Sequence, residues 1–225
     1  ERGEINHAAM EILLSNMRVR DERIGDFNSG LAACHTAERR VRELITRYGI
    51  ETLLAGVQSN LERSEARMRA QIAKLPDGEY FYEDYLETFS QPPEYRLEPL
   101  LLPLHLTVTG ETLTADFTGA AEQAPAPVNS TLAVTAASVF ITLKSVFDPT
   151  QALNHGSFRP VSVIAPLGTI VNVTHPAPAG SHGEIRKRVI ATMLGALAHA
   201  CPELSSADIH RTSFHNLIGG VDPAT

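Results

Sequence analysis

Residues 102–117 read Leu-Pro-Leu-His-Leu-Thr-Val-Thr-Gly-Glu-Thr-Leu-Thr-Ala-Asp-Phe. Apolar and polar side chains alternate on both sides of Gly110-Glu111, so every second residue faces the same side. Two such runs, separated by two residues that favour a tight turn, are typical of a β-hairpin. We therefore predict antiparallel strands over 102–109 and 112–117, with one face of the hairpin buried.

The sequence before this hairpin predicts helices. Apolar residues recur at steps of three and four, a period of about 3.5 residues, which indicates a helix that packs along a narrow seam. Gly49 is a typical helix stop, and a second apolar pattern runs from Leu54 to Pro76-Asp77-Gly78. We expect these two helices to form an antiparallel hairpin, preceded by a shorter helix near residues 5–17. The seam of the first helix consists of Ile24, Phe27, Leu31, Cys34, Val41, Ile45 and Tyr48, with Glu38 in the skipped place.

The sequence after the first hairpin mixes helix and strand patterns. Residues 130–146 are apolar nearly all round, with Lys144 as the only charge, so we expect a helix buried on most sides. The runs 161–165 and 169–173 predict a second hairpin, and residues 184–200 predict a last helix. The whole pattern predicts an α+β fold, in which an N-terminal helical hairpin precedes a mixed antiparallel-sheet region with buried helices.

Charged residues are concentrated in the first part of the chain. Residues 1–99 hold 31 of the charged side chains and residues 100–225 hold 14. We therefore predict a helical domain over 1–78 and a mixed α/β domain over 79–225. The low charge of the second region suits a surface that is covered in a larger assembly.

Composition excludes several classes of protein. A net charge of −7 argues against a dedicated nucleic-acid binder. No apolar run approaches the roughly 20 residues of a membrane helix, and Glu1-Arg2-Gly3-Glu4 does not resemble a secretion signal. Cys34 and Cys201 are too far apart in sequence to form a zinc knuckle, and two isolated cysteines suit a reducing compartment. We expect a cytoplasmic protein without a membrane or nucleic-acid partner.

Few polar stretches suggest chemistry, and each has a structural alternative. Asp116, at a strand end before Thr118-Gly119, can orient a turn or point into a site. Asn129 precedes the expected helix cap Ser130 and can support that cap or contact a ligand. The loop 154–160 reads Asn-His-Gly-Ser-Phe-Arg-Pro. It can gather hydrogen-bond donors around a carboxylate, or it can be held by its Asn154 with Arg159 paired to an acid.

Glu184 and Arg188 lie one turn apart in the last predicted helix. An i,i+4 ion pair explains both residues, and Glu184 also suits the positive end of the helix dipole. His182 and Glu184 could contribute to an acid/base or metal site, but two ligands do not make a site. The chain holds no nucleophile elbow, no phosphate-binding glycine loop and no zinc-protease helix motif.

In their order and spacing, these stretches resemble the hydantoinase B/oxoprolinase family. Each match is of moderate specificity alone, but chance does not reproduce their order along nearly the whole chain. The stretches are Arg20–Phe27, Ala32–Arg40, Arg47–Gly49, Ala115–Gly119, Pro127–Ser130, Leu143-Lys144, Asn154–Pro160, Val163–Asn172, Pro176–Pro178 and Gly195–Ala198.

The resemblance implies a B-type subunit of an ATP-dependent amidohydrolase that opens a cyclic amide such as hydantoin or 5-oxoproline. It also implies an A-type partner subunit that binds ATP with Mg, and hence a hetero-oligomer. Phosphorylation of the amide oxygen would make a stable lactam reactive. One alternative is a subunit of an ATP-dependent ketone carboxylase of the acetone or acetophenone type. Another is a non-catalytic assembly module.

The resemblance also assigns candidate site residues. The catalytic candidates are Glu184, Arg188 and Asp116, and the substrate-binding candidates are Asn129, Asn154 and Arg159. Arg159 would hold a carboxylate or bicarbonate through two hydrogen bonds.

Two departures from the family pattern accompany the resemblance. The chain is about half as long as family members and is expected to be an internal segment, without a complete metal site. A divalent metal would belong to the family's preceding His- and Asp-rich segment. The stretches 124–128 and 180–183 depart from the family pattern and leave the substrate open.

Overall fold

The computed structural model describes residues 5–87, 98–180 and 182–205. Short 3-10 helices occur at His155–Phe158 and Pro202–Leu204. The main elements are α1 (His7–Ser15), α2 (Arg20–Tyr48), α3 (Ile50–Ile72), β1 (Gly78–Leu86), β2 (Leu100–Thr109), β3 (Thr112–Asp116), α4 (Leu132–Phe147), β4 (Val161–Ile164) and α5 (His182–Ala200).

The chain divides into two compact units, and the division falls inside α3, after Ser59. This division does not coincide with the domain boundary predicted after Gly78, which stays a prediction. In the first unit, α1 packs against α2, and the Asn6 side chain caps α1 by accepting a hydrogen bond from the Ala9 amide at 3.0 Å. Leu14 of α1 is buried, whereas no residue of α2 is.

The two predicted long helices are present, and Gly49 separates them with a φ of 79°. A left-handed φ of this kind favours glycine, as expected at a helix end. The predicted antiparallel packing is not seen in the first unit, because α2 and the first part of α3 form no packed pair. The physical reason is the single-residue connection, which is shorter than the loop that an antiparallel helix pair uses.

The second unit is built on a four-stranded sheet in the order β1-β2-β3-β4. The first hairpin is confirmed: β2 and β3 are antiparallel, and Thr109 lies opposite Thr112 across the turn. β1 also pairs antiparallel with β2, whereas β4 pairs parallel with β3. The sheet is therefore mixed, and the predicted α+β class is confirmed.

The prediction of a second hairpin is wrong. Leu113 of β3 lies opposite Val161 of β4. Residues 169–173 form a loop that hydrogen-bonds elsewhere: the Ile170 amide donates to the Ala121 carbonyl at 3.0 Å. Two short apolar runs predict extended backbone, but their pattern does not specify which neighbour each run pairs with.

Helices α4 and α5 complete the core. α5 packs on β1 and β2, and α4 packs on α5. The prediction that α4 is buried on most sides is confirmed. Its exposed residues, which include Leu132 and Ile141 at 45% and 55%, form one stripe, and its other residues are buried or half-buried. Its inner face carries small polar residues, and the Thr142 hydroxyl, for example, donates to the Ser138 carbonyl at 2.7 Å. Polar groups that bond to their own helix can be buried at little cost.

The contact between α5 and β1 is unusually close at Gly195. A Cβ at this position would lie 2.6 Å from ring atoms of Tyr82. Further along the same interface, the His199 ring nitrogen Nδ1 lies 3.1 Å from the Phe81 carbonyl oxygen. Within the described ranges, no helix combines the length and apolar character needed to cross a membrane.

Candidate functional site

The loop that contains Asn154 and Arg159 is attached to the second half of α3. The Asn154 carboxamide accepts a hydrogen bond from the Gly156 amide at 2.9 Å and donates one to the Ser64 hydroxyl at 2.8 Å. Ser64 is only 3% exposed. At Gly156 the two backbones meet, because a Cβ there would overlap the carbonyl of Leu61. Asn154 therefore holds the loop, which is one of the two interpretations that the sequence left open.

Arg159 forms an ion pair with an acid of α3. Its Nη1 lies 3.1 Å from Glu65 Oε2, while Arg69 binds the other oxygen of Glu65 at 2.8 Å. The hydrogen bond from Arg69, and then that from Arg159, lower the pKa of the Glu65 carboxyl below its ordinary value. The Arg159 side chain is still 32% exposed, so part of the guanidinium is open to solvent.

Arg188 projects from α5 onto the edge strand β1. Its Nη1 lies 3.1 and 3.3 Å from the two carboxylate oxygens of Asp84. The pair is largely buried, since the Asp84 side chain is 6% exposed and that of Arg188 is 16% exposed. Glu184 lies in the first turn of α5 and is half-buried. A buried pair of this kind is a strong structural link, because either charge alone would be costly in the core.

Asn129 is completely buried, and backbone groups surround its carboxamide. Its Oδ1 accepts from the Ala124 amide at 2.8 Å, and its Nδ2 donates to the carbonyls of Ala124 and Pro178 at 2.8 and 2.7 Å. A third carbonyl, that of Ala126, lies at 3.2 Å. A primary amide has two N–H donors, so this side chain is saturated by the loops that it joins.

Asp116 ends β3 and orients the turn that follows. Its Oδ1 accepts from the Thr118 amide at 2.8 Å, and Gly119 then has a φ of 95°. This is the turn-forming alternative for Asp116.

Three buried polar atoms have no hydrogen-bond partner among the described residues. They are Arg67 Nε, Ser157 Oγ and Arg188 Nε. Two of them belong to the groups above: Ser157 lies in the 154–159 loop, and Arg188 is the partner of Asp84. No group of three or more His, Cys, Asp or Glu side chains in the described ranges is placed to hold a metal ion.

The candidates fall into separate groups. Asn154 and Arg159 lie together against α3, and Glu184 and Arg188 share α5. None of the hydrogen bonds and ion pairs above joins these groups to each other, to Asn129 or to Asp116.

Sequence reasoning missed the acids that hold the two arginines. Glu65 lies in a run of mixed charges that predicts a solvated helix face. Asp84 carries a readable signal, because it occupies an inward position of β1 in the alternation Tyr80, Tyr82, Asp84, Leu86. A charged residue in such a row indicates a buried partner.

Comparison with known proteins places this arrangement in a family. The Hydantoinase B/oxoprolinase family model matches residues 1–225. The chain belongs to the hydantoinase B/oxoprolinase family. Among its relatives is the B-type subunit of a putative D-/L-hydantoinase of Pseudomonas sp. (strain NS671), which is 31% identical over 93% of this chain and 36% of its own length.

Another relative is the beta subunit of the caprolactamase of Pseudomonas jessenii, which is 29% identical over 98% of this chain and 37% of its own length. The crystal structure of the ATP-dependent caprolactamase from that organism matches with a TM-score of 0.81 at 27% identity, over 89% of this chain and 34% of the solved chain. An acetone carboxylase structure matches with a TM-score of 0.76 over 88% of this chain and 27% of the solved chain, but at 15% identity, which shows a shared fold alone.

The chain thus spans little more than a third of the length of these hydantoinase B relatives, not about half as expected.

Proposed function

We propose that this chain is part of the B-type subunit of an ATP-dependent enzyme that opens a cyclic amide. The main support is the match to the B-type subunit of a hydantoinase at 31% identity across 93% of the chain. A second support is the structural match to a caprolactamase, a lactam-hydrolysing relative of the same fold, with a TM-score of 0.81. The substrate class is therefore a hydantoin, a lactam or 5-oxoproline.

The enzyme would be a cytoplasmic hetero-oligomer with an A-type subunit that binds ATP with Mg. The names of two relatives, which designate a B-type and a β-type subunit, support a second kind of subunit. ATP would phosphorylate the amide oxygen and leave as ADP. Water would then attack the ring carbon, and the loss of inorganic phosphate with cleavage of the C–N bond would open the ring. Any resident divalent metal would be held by the part of the protein outside this sequence.

Within this scheme, Arg159 is the best candidate to contact substrate. It is the more exposed of the two candidate arginines, and it already binds one carboxylate, that of Glu65. A substrate carboxylate could take the place of Glu65, which would keep its second partner, Arg69. Asn154 would act by positioning this loop, and Asn129 and Asp116 by fixing neighbouring loops. Arg188 and Glu184 would support the site from α5.

The test is Arg159→Lys in the full enzyme with its partner subunit. Lysine keeps the charge but loses the planar pair of donors, so KM for a carboxylate-bearing substrate should rise with little change in kcat. Arg69→Lys is the matched control, because Arg69 binds the same Glu65 but is not proposed to contact substrate. This variant should leave KM unchanged. Unchanged kinetics with lowered stability for Arg159→Lys would make this arginine structural.

A ketone carboxylase is the second candidate, and the fold shared with acetone carboxylase favours it. ATP consumption should be followed with 5-oxoproline, a hydantoin and a ketone, each with labelled bicarbonate. Ring opening without label in the product supports the amidohydrolase, whereas fixed label moves the protein to the carboxylase branch.

A non-catalytic assembly module is the third candidate, supported by the low charge of residues 100–225. In that case, substitution of Asn154 or Glu184 would alter assembly and leave turnover per assembled complex unchanged.

A further inference from the structure

The first unit contains an apolar surface that its own residues leave uncovered. It belongs to a row of residues that we call the α2 seam: Ile24, Phe27, Leu31, Cys34, Glu38, Val41, Ile45 and Tyr48. Leu31 and Val41 are 42% and 48% exposed, and Cys34 is exposed as well. Toward the start of α2, where α1 packs, the seam continues through the half-buried Ile24 and Phe27.

The spacing of the α2 seam specifies what can cover it. Alternating steps of three and four residues over more than three heptads are the pattern of a helix that packs lengthwise on another helix. In heptad notation, the a positions are Ile24, Leu31, Glu38 and Ile45, and the d positions are Phe27, Cys34, Val41 and Tyr48.

We propose that the α2 seam binds a second copy of itself in antiparallel orientation, with residue 36 at the two-fold axis. Antiparallel helices place a positions opposite d positions. In this register, Leu31 faces Val41 of the second copy, Phe27 faces Ile45, and Cys34 faces Glu38. Every seam residue thus meets a residue of the other seam, as an a/d pattern requires in an antiparallel pair.

The residues beside the seam fit the same register by size. Leu44, which is 42% exposed, would lie over Gly30 of the second copy. A Cβ at Gly30 would have no atom within 4 Å, so the space above it is open. Ala37 would meet its own copy beside the two-fold axis, where two small side chains allow the helices to approach closely.

Charge distinguishes this orientation from a parallel one. A parallel pair would place Glu38 against Glu38 of the second copy, which is unfavourable, whereas the antiparallel pair places it against Cys34. Residues 20–30 carry a net charge of −1 and residues 38–48 a net charge of +2. Antiparallel pairing therefore brings the acidic end of each helix beside the basic end of the other.

The direct test is cross-linking of the full-length protein together with its A-type partner. Glu38→Cys, in a Cys201→Ser background, places two cysteines opposite each other across the axis, and mild oxidation should give a covalent dimer of two copies on a non-reducing gel. Glu43→Cys is the matched control, because residue 43 is on the outer side of the same helix and should not cross-link. The unmodified Cys34 alone should not cross-link either.

Other occupants of the seam would give different results. A dimer formed through Cys34 alone would overturn the proposal in favour of parallel pairing. Absence of any cross-link in a folded Glu38→Cys protein would mean that another part of the enzyme covers the seam, and would also overturn it.

Sedimentation gives a second measurement that does not depend on oxidation. Val41→Asp should raise the dissociation constant of the pair of copies by at least about tenfold, because a charge would enter two symmetry-related apolar layers. Val57→Asp, at an equally exposed position of α3, should leave the dissociation constant unchanged. Equal effects of the two substitutions would contradict the proposal. The result does not depend on which reaction the enzyme catalyses, since no substrate is present.

Discussion

Helix α2 and the sheet of the second unit obtain their order from different sources. Over its 29 residues α2 buries none, and its visible stabilisation is local, in ion pairs such as Arg42–Glu38 at 2.8 Å. In the sheet, Leu102, Leu104 and Leu106 are each 0% exposed. Because most helix stability in proteins comes from packing an apolar face, an exposed apolar seam indicates a helix whose packing partner lies outside the first unit.

The largest expected difference between the two regions concerns their ion pairs. Asp84→Asn would leave the Arg188 charge buried without its carboxylate and should lower the free energy of unfolding by about 3 kcal/mol. Glu43→Gln removes the acid of an exposed pair with Arg40, whose side chains are 50% and 65% exposed, and should cost less than about 1 kcal/mol. Urea unfolding of both variants measures the difference. Similar losses would mean that burial does not separate the two pairs.

Two glycines give a smaller contrast of opposite sign. Gly156→Ala would force the 154–159 loop away from the Leu61 carbonyl and should destabilise by about 1–3 kcal/mol. Gly25→Ala lies in the interior of α2 with open space around the new Cβ, and should stabilise by about 0.5–1 kcal/mol. Thermal unfolding that showed Gly156→Ala to be neutral would contradict the close contact between the loop and α3.

The smallest contrast concerns pH and two acids that each bind an arginine. Hydrogen bonds from arginine lower the pKa of Glu65 and of Glu11 below the ordinary value of 4.5. A lowered pKa contributes stability that is present above the ordinary value and is lost as the pH falls through the lowered one. Glu65→Gln should therefore reduce the loss of stability in acid. Glu11→Gln should do so less, because Glu11 is 59% exposed and Glu65 22%.

Denaturant midpoints measured across the acid range, at low and high salt, would check this order. A larger effect of Glu11→Gln, or a destabilisation by Glu65→Gln that grows as the pH falls through the acid range, would contradict it.

Sequence alone predicted the elements whose signals are local. The β2–β3 hairpin, α5 and the break at Gly49 follow from alternation, helical period and a single glycine. It failed for residues 169–173, because their hydrogen bonds depend on which distant segment supplies a partner. The same limit applies to the candidate site, where the partner of a residue can lie far away in sequence. The pairing of Arg159 with an acid was one of the stated alternatives, but Glu65 lies 94 residues away along the chain.

Because Gly195 has no side chain, the ring of Tyr82 can lie directly against α5. Tyr82 and Asp84 point to the same side of β1, and Gly195 and Arg188 lie about two turns apart on α5. The contact of Tyr82 with Gly195 and the ion pair of Asp84 with Arg188 therefore attach α5 to β1 at two separate points. Two such points prevent α5 from rolling on the strand, whereas one would act as a pivot. A side chain at residue 195 would therefore tilt α5, and this tilt would move Arg188.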